Sequence, residues 1–375
     1  MAVDKNVVVV GASAVGSLSA AYLAQEGLDA TVLEEDSKPG KFDKCGAIFS
    51  KEGLDGTGVP YHRLVLNEVR GVRIISPKAV MSVKAKTVKG VVLRRQSFDE
   101  ICADYANAQG AEIRLGHRVN AYSTATNGKI RATTDKGSFE SRVLVAADGI
   151  GSLAAKSFGF PAFKQTDIVL AYQAEFDNAR VFDREMVDVL LDNRHYKNFF
   201  AWTIPVNESR VRVGVATTDM QKIGEAREAV FANKYIAEQL EGARKLSEFH
   251  YSIPLRYRRQ TQKCVGEAGS HSYAMLVGDA AGQVKATTGG GVIFGSKCAR
   301  VAAKEAAKFI LEGKPPNYER AWRRQHGKIL GLHYLVHRAY RLLPNPLVDV
   351  AVRVGGALGL GSLLAARGDM DYILR

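Results

Sequence analysis

Hydrophobic and polar positions alternate in two different ways along this chain. Three short runs are apolar without interruption: Asn6-Val-Val-Val-Val10, Val143-Leu-Val-Ala-Ala147 and Ala274-Met-Leu-Val277. Such runs predict strands buried on both faces, as in a parallel sheet flanked by helices. Elsewhere the apolar positions recur every second residue, at Glu185–Asp192, Phe199–Pro205 and Ser209–Ala216. That period predicts an antiparallel sheet covered on one face. Helical stretches are expected at Ser17–Glu26, with Gly27 as its C-terminal cap, at Phe98–Gln109 and at Gly295–Leu311, and a further strand at Ala30–Leu33. After residue 312 the chain reads as an apolar, glycine-rich segment of helices separated at Pro344 and Pro346. Two readings fit that last segment, a lid or tunnel wall for a long chain and ordinary helical packing.

The elements give an α/β protein (α+β overall) in three parts. A discontinuous Rossmann-type domain is expected over 1–78, 90–160 and 265–312. An antiparallel-sheet substrate domain takes 79–89 and 161–264, and a C-terminal helical segment takes 313–375. Within the first part, Gly11-Ala-Ser-Ala-Val-Gly16 joins the first strand to the first helix, and Glu34 ends the next strand. A glycine turn between strand and helix lets a pyrophosphate approach the free N–H groups at the helix start. An acid about twenty residues on accepts hydrogen bonds from a ribose diol. The middle glycine of the usual pattern is Ser13 here. Two later strands end in Asp148-Gly149 and in Gly278-Asp-Ala-Ala-Gly282, and the second is followed by Thr287-Thr-Gly-Gly-Gly-Val292. Acid, glycine loop and new helix make a second anion-binding turn.

Taken in order, these three motifs resemble those of the para-hydroxybenzoate hydroxylase superfamily of FAD enzymes. Further segments resemble its geranylgeranyl reductase branch: Lys41-Phe-Asp-Lys-Cys-Gly46 with Ser50 beyond it, Arg95-Gln-Ser-Phe-Asp99, the loop Gly282–Gly291, and Phe200-Ala-Trp-Thr-Ile-Pro205. The last departs from the family's pattern at Phe200, where tyrosine is usual, and at Ile204, where phenylalanine is. The likeness runs from Val7 to about Trp322 and is weakest after Arg341. It implies that FAD is held by Gly11, Val15, Gly16, Glu34, Cys45, Gly46, Ile48, Arg95, Val119, Asp279, Gly291 and Val292. It implies a substrate wall at Phe200, Trp202 and Pro205, and a catalytic-site position for Cys45. The expected reaction is reduction of carbon–carbon double bonds in the geranylgeranyl-type chains of a prenylated lipid. An FAD monooxygenase or halogenase is the alternative, and a non-catalytic prenyl-lipid escort a third reading. From the residues alone, Cys45 also reads as a buried filler, Phe200 and Trp202 as plain core, and Arg95 as a local ion-pair partner. Tyr318 and Trp322, at helical spacing, read as packing. There is no second complete dinucleotide motif, so electrons are expected from a transient donor: NAD(P)H, a deazaflavin or a ferredoxin.

Charge adds one element to the picture. Of 375 residues, 52 are Lys or Arg and 39 Asp or Glu, a net +13. The excess is scattered, with runs at Arg256–Lys263 and Arg320–Arg324, and no zinc-finger, RNP-like or basic-zipper pattern accompanies it, so no nucleic acid partner is expected. A solvated basic face and attraction to an anionic membrane surface both fit. The four cysteines lie far apart without a C-x-x-C pair, which predicts neither disulfides nor a metal site. No signal peptide is read at the N-terminus, and the nearest long apolar run, Leu347–Ala366, is broken by Asp349 and Arg353. A cytoplasmic protein is expected, with peripheral contact at the inner face of the cell membrane.

Overall fold

The computed structural model describes residues 2–41, 45–266 and 271–372. Val3–Val10 is the central strand of an eight-stranded sheet. It pairs in parallel with Gly137–Ala146 on one side and Ala30–Leu33 on the other, and Gly137–Ala146 pairs in parallel with Ser272–Leu276. These are the uninterrupted apolar runs, and Val7, Val8, Val9, Val143, Leu144, Val145, Ala274 and Leu276 are fully buried. Helices Ala14–Gln25, Arg95–Ala108 and Val292–Glu312 pack together on one face, joined by Leu18, Leu23, Phe98, Cys102, Phe294 and Cys298. All three begin three residues before the positions expected from the hydrophobic period. The first is capped by Ser13, whose extended backbone follows the left-handed turn at Gly11 (φ +94°). The second gains its first turn from Arg95, which pairs with Asp99 one turn on. The third starts directly after Gly291. A polar or glycine-rich first turn has no apolar period to read, so these starts were hidden.

The alternating runs form a seven-stranded sheet, at Met186–Leu190, Ala201–Pro205 and Val211–Thr217, with Ile168–Asp177 and Arg244–Pro254 beyond them. Three expectations are corrected there. Gly71–Ser76, assigned by sequence to the first part, belongs to this sheet and pairs with Ala79–Lys84 and Met186–Leu190. The pairing with Met186–Leu190 is parallel, so the sheet is mixed rather than antiparallel throughout. Its centre is covered on both faces. Trp202, Ile204 and Ala216 pack toward Val92, Val284 and Ala286, while Val211, Val213 and Val215 pack against Ala226, Val230 and Ile236 of helices Ile223–Ala232 and Lys234–Gln239. Alternation in the central strands therefore separates two apolar cores, not a core from solvent.

The C-terminal segment forms helices Lys328–Arg341, Asn345–Ala357 and Leu360–Arg367. Asn345–Ala357 carries Pro346 in its first turn and lies on the edge of the seven-stranded sheet, where Asp349 accepts hydrogen bonds from Ser76 Oγ (2.6 Å) and Lys78 N (2.9 Å). The last two helices meet at a 74° bend, and among the described residues no single helix is long and apolar enough to cross a membrane. Tyr318 and Trp322 are fully buried packing residues, as expected. Trp322 Nε1 donates to Thr261 Oγ1 and Tyr318 Oη donates to Leu276 O.

Candidate flavin cleft and active site

The carboxyl ends of the parallel strands meet around one cleft, the place where open α/β sheets bind ligands. Val15, Cys45, Ile48, Arg95, Asp279, Gly291 and Val292, all expected at the site, line it. Ser13 joins them, as do Ala147 and Gly149 of the second motif. The segment Phe42–Lys44 between the expected Lys41 and Cys45 lies outside the described residues. Gly46 stands behind Cys45, where a Cβ would come within 3.2 Å of Ile204.

The first turn is built as its sequence implies. A Cβ on Gly16 would fall 1.8 Å from Gly11 O, so helix and strand close only with glycine there. Glu34 turns back under the turn, and its carboxylate accepts N–H from Ala12 (2.6 Å) and Asp36 (2.9 Å). Asp99 does the same from the other side. Its Oδ1 accepts from Ala14 N (2.7 Å), and its Oδ2 from Arg95 Nε (2.9 Å). The local pairing read for Arg95 is thus real, and the same pair tethers the glycine turn while Arg95 faces the cleft. Val119 is not among the cleft residues. It packs against the apolar cluster that includes Val10 and Leu33, two residues after His117, whose N–H bonds Glu34 O (2.7 Å).

Asp279 lines the cleft while Glu34 and Asp148 stand at the ends of the strands beside it, and the pKa of each is raised by desolvation. Glu34 is raised despite its two backbone hydrogen bonds, and Asp148 despite Ser152 and Ala154. Asp279 opens onto the cleft and is exposed to solvent there, with protein atoms crowded around its base. That crowding raises its carboxyl above the usual range although the Arg95 charge pulls the other way. Burial alone would weaken the Arg95 cation, but Asp99 and Cys45 beside it hold it above its ordinary pKa. Concentrated perturbation of this kind marks functional sites.

The arrangement suits FAD on three counts. Backbone, not side chain, forms the wall at Gly291, where a Cβ would stand 2.8 Å from Asp279 Oδ1. Asp148 Oδ1 is buried with no hydrogen-bond partner among the described residues. The Glu34 carboxylate has lone pairs to spare after its two N–H contacts. Glu34, Arg95, Asp279 and the two glycine turns would hold the cofactor.

Opposite the glycine loop, the cleft is walled by the seven-stranded sheet through Tyr251 and Ile253. Of the expected substrate residues, Trp202 lies beside them on the same face of that sheet, with Phe200 against it, ring centroids 5.8 Å apart. Trp202 and Pro205 are buried, and Phe200 is half-buried, stacked on Phe199 with ring centroids 4.3 Å apart. They are core residues of a wall, and they do not line the cleft directly. A buried Gln173 joins that wall to the cysteine. Its Nε2 donates to Cys45 O (3.2 Å) and its Oε1 accepts from Trp202 Nε1 (2.9 Å). Arg212, also buried, donates to Gly46 O and Leu93 O while pairing with Glu175 (2.8 Å). On the remaining side Lys285 pairs with Asp371 (2.8 Å), both almost fully buried. The Lys285 ammonium also bonds Met370 O, and His333 contacts Asp371 O and Thr287 Oγ1. Gln173, Arg212, Lys285 and Asp371 were not found by sequence reasoning. The one available signal was a polar residue at an inward position of an apolar strand, as Gln173 and Arg212 are.

A sheet with a parallel core, a glycine turn, an acid at the end of the next strand and a second acid-plus-glycine loop defines a flavoprotein of the Rossmann type. The chain belongs to the FAD binding domain family, whose pattern matches residues 4–304. It is 27% identical over 337 residues to digeranylgeranylglycerophospholipid reductase 2 of Methanococcoides burtonii, covering 86% of this chain and 81% of that one. Among solved structures, it superposes on a geranylgeranyl bacteriochlorophyll reductase-like protein from Thermoplasma acidophilum with a TM-score of 0.84, at 20% identity over 94% of this chain and 91% of that chain. The fold is shared with a p-nitrophenol 4-monooxygenase of Pseudomonas putida at a TM-score of 0.75 and 17% identity, with 98% of both chains covered. The chain is an FAD-dependent oxidoreductase similar to the geranylgeranyl reductases.

Proposed function

We propose that the protein reduces carbon–carbon double bonds in the geranylgeranyl-type chain of a prenylated lipid, acting at the surface of an anionic membrane from the cytoplasmic side. One observation carries the reading: Cys45–Gly46 is held at the cleft by Gln173, which ties it to Trp202 of the sheet opposite the flavin loop. Two apolar layers, Ile48 with Val292 and Tyr251 with Ile253, then face one cleft beside a small, polarizable side chain. When reduced and bound, FAD supplies a hydride to one alkene carbon, and a proton completes the saturation at the other. The protein's own part is alignment and water exclusion, which an unactivated alkene needs most. Phe200 and Trp202 stiffen the wall from beside the cleft, and Cys45 shapes the space beside the ring. The FAD body is assigned to 1–78, 90–160 and 265–312 apart from the strand at 71–76, which joins the substrate sheet. A transient carrier supplies the electrons.

The test is anaerobic incubation of the chemically reduced protein with a geranylgeranylated lipid, followed by mass spectrometry. The expected product gains two hydrogens per saturated bond, with deuterium from labelled flavin on a former alkene carbon. Cys45→Ser and Cys45→Ala retain FAD and lose turnover or change the product pattern. Hydroxylated or halogenated products that require oxygen would overturn the reductase reading.

A further inference from the structure

A second cavity, of about 450 Å³, lies outside the flavin cleft, between residues 164–167, Arg256 and the helix Lys328–Arg341. Its walls carry four cations, Lys164, Arg256, Arg338 and Arg341, against one carboxylate, Asp167. That carboxylate is buried and engaged, since Oδ1 accepts from Tyr334 Oη (2.8 Å). No ion pair ties any of the four cations to a carboxylate among the described residues. Arg256 lies over the Tyr334 ring, 5.0 Å from its centroid, and among the described residues Arg341 bonds the Thr166 carbonyl. Like charges gathered around a concavity repel one another and focus a positive potential within it, and an anion relieves both. Three of the four are arginines, whose planar fork matches phosphate oxygens in pairs.

The surroundings narrow the anion further. Leu342, just past the end of the helix Lys328–Arg341 and 81% exposed, gives the cavity an apolar edge. Tyr334, the ring in the cavity, carries Arg256 over one face and donates its hydroxyl to Asp167. A phosphate with a hydrocarbon part satisfies both kinds of surface. The cavity also adjoins the flavin wall. Asn198 lines it next to Phe199, which packs toward the flavin loop at Gly289, and Arg256 follows Ile253 of the cleft by three residues. We propose that this cavity is a phosphate-ester site that takes the headgroup phosphate of a lipid. The assignment rests on the lipid-substrate reading above for its source, and on the cavity alone for its chemistry.

Calorimetric titration of the FAD-loaded full-length protein tests it with four probes: inorganic phosphate, glycerol phosphate, dihexanoyl phosphatidylglycerol below its micelle concentration, and neutral dihexanoylglycerol. The phospholipid is expected to bind roughly tenfold or more tighter than each of the others, and more weakly as salt is added. The double variant Arg256→Ala/Arg338→Ala loses roughly tenfold in affinity with its flavin spectrum intact. Lys164→Ala/Arg341→Gln serves as a second variant should the first fail to fold. Equal binding of the neutral lipid, or unchanged binding in a folded double variant, overturns the anion site. Inorganic phosphate binding as tightly as the phospholipid overturns the lipid headgroup. Because binding is read without turnover, failure of alkene reduction leaves this result untouched. Conversely, turnover of headgroup-free geranylgeraniol that persists in a variant blind to phospholipid supports the site without depending on it.

Discussion

Glu34 occupies a position where one side chain holds the glycine turn and, on the proposed reading, the cofactor as well. Its two backbone N–H partners would lose their acceptor in Glu34→Ala, at about 1–3 kcal/mol for each group left buried and unpaired. FAD affinity, read by flavin fluorescence, is expected to fall by a comparable amount, and an unchanged dissociation constant would remove Glu34 from the site. Asp279 makes the opposite trade. Crowding by protein atoms raises its folded-state pKa above the ordinary 3.8, and because solvent still reaches the side chain the ionised form is only modestly unfavourable in the fold. Below the unfolded value the penalty is absent; it grows as pH rises through the window between the two values and is complete above the folded one. Asp279→Asn should therefore raise the melting temperature of the FAD-free protein at neutral pH while weakening FAD binding, and the gain should vanish in acid. A variant that melts lower than the parent at neutral pH would contradict this. Glu34 and Asp279 were legible in the sequence because each ends an apolar strand and stands next to a turn. Gln173 was not: its bond to Cys45 spans 128 residues, and local pattern carries no information about which strand crosses which loop.

At the scale of elements, the strands, the three cofactor helices and their order followed from periodicity, while the return of the C-terminal tail did not. Gly368–Tyr372 has no repeating pattern, yet it is held by Lys89, Lys285 and Lys297 through Gly368 O, Asp371 and Tyr372. Burial opposes ionisation of Asp371, but Lys285 and then Lys297 hold its carboxyl below the usual range. The pair therefore contributes stability above the ordinary carboxyl pKa and loses it as pH falls through the lowered one. Removing one partner leaves the other charge buried, at about 3–5 kcal/mol, whereas replacing both by apolar residues of similar size is far less costly. Asp371→Ala and Lys285→Ala should each lower the denaturation midpoint sharply and weaken FAD binding, and Lys285→Met/Asp371→Leu should recover much of the stability. Chemical denaturation of the four proteins checks this. Additive losses in the double variant would mean that the two residues do not act as a pair.

For the molecule as a whole, the net charge of +13 and the placement of exposed apolar residues point the same way. Leu332, Leu335, Val336, Leu342, Leu347, Val350, Val354, Leu358 and Leu360 are all exposed, and all belong to the C-terminal helices or the turns between them. Charge could be counted from the sequence. The exposure could not, because an apolar helix reads alike whether its face meets a core or a bilayer. Helices of this kind lie in the interface, burying apolar residues among the acyl chains while basic neighbours meet anionic headgroups. Each Lys or Arg near such a surface contributes about 1 kcal/mol, an attraction that salt screens. The protein should sediment with vesicles containing phosphatidylglycerol and bind phosphatidylcholine vesicles less well, and the difference should shrink as ionic strength rises. Leu335→Glu/Leu358→Glu, which touches neither cleft nor ion-pair network, should reduce vesicle binding at every salt concentration and leave FAD content unchanged. Equal binding to neutral and anionic vesicles would remove the electrostatic part, and full binding by the double variant would remove the helices from the membrane contact.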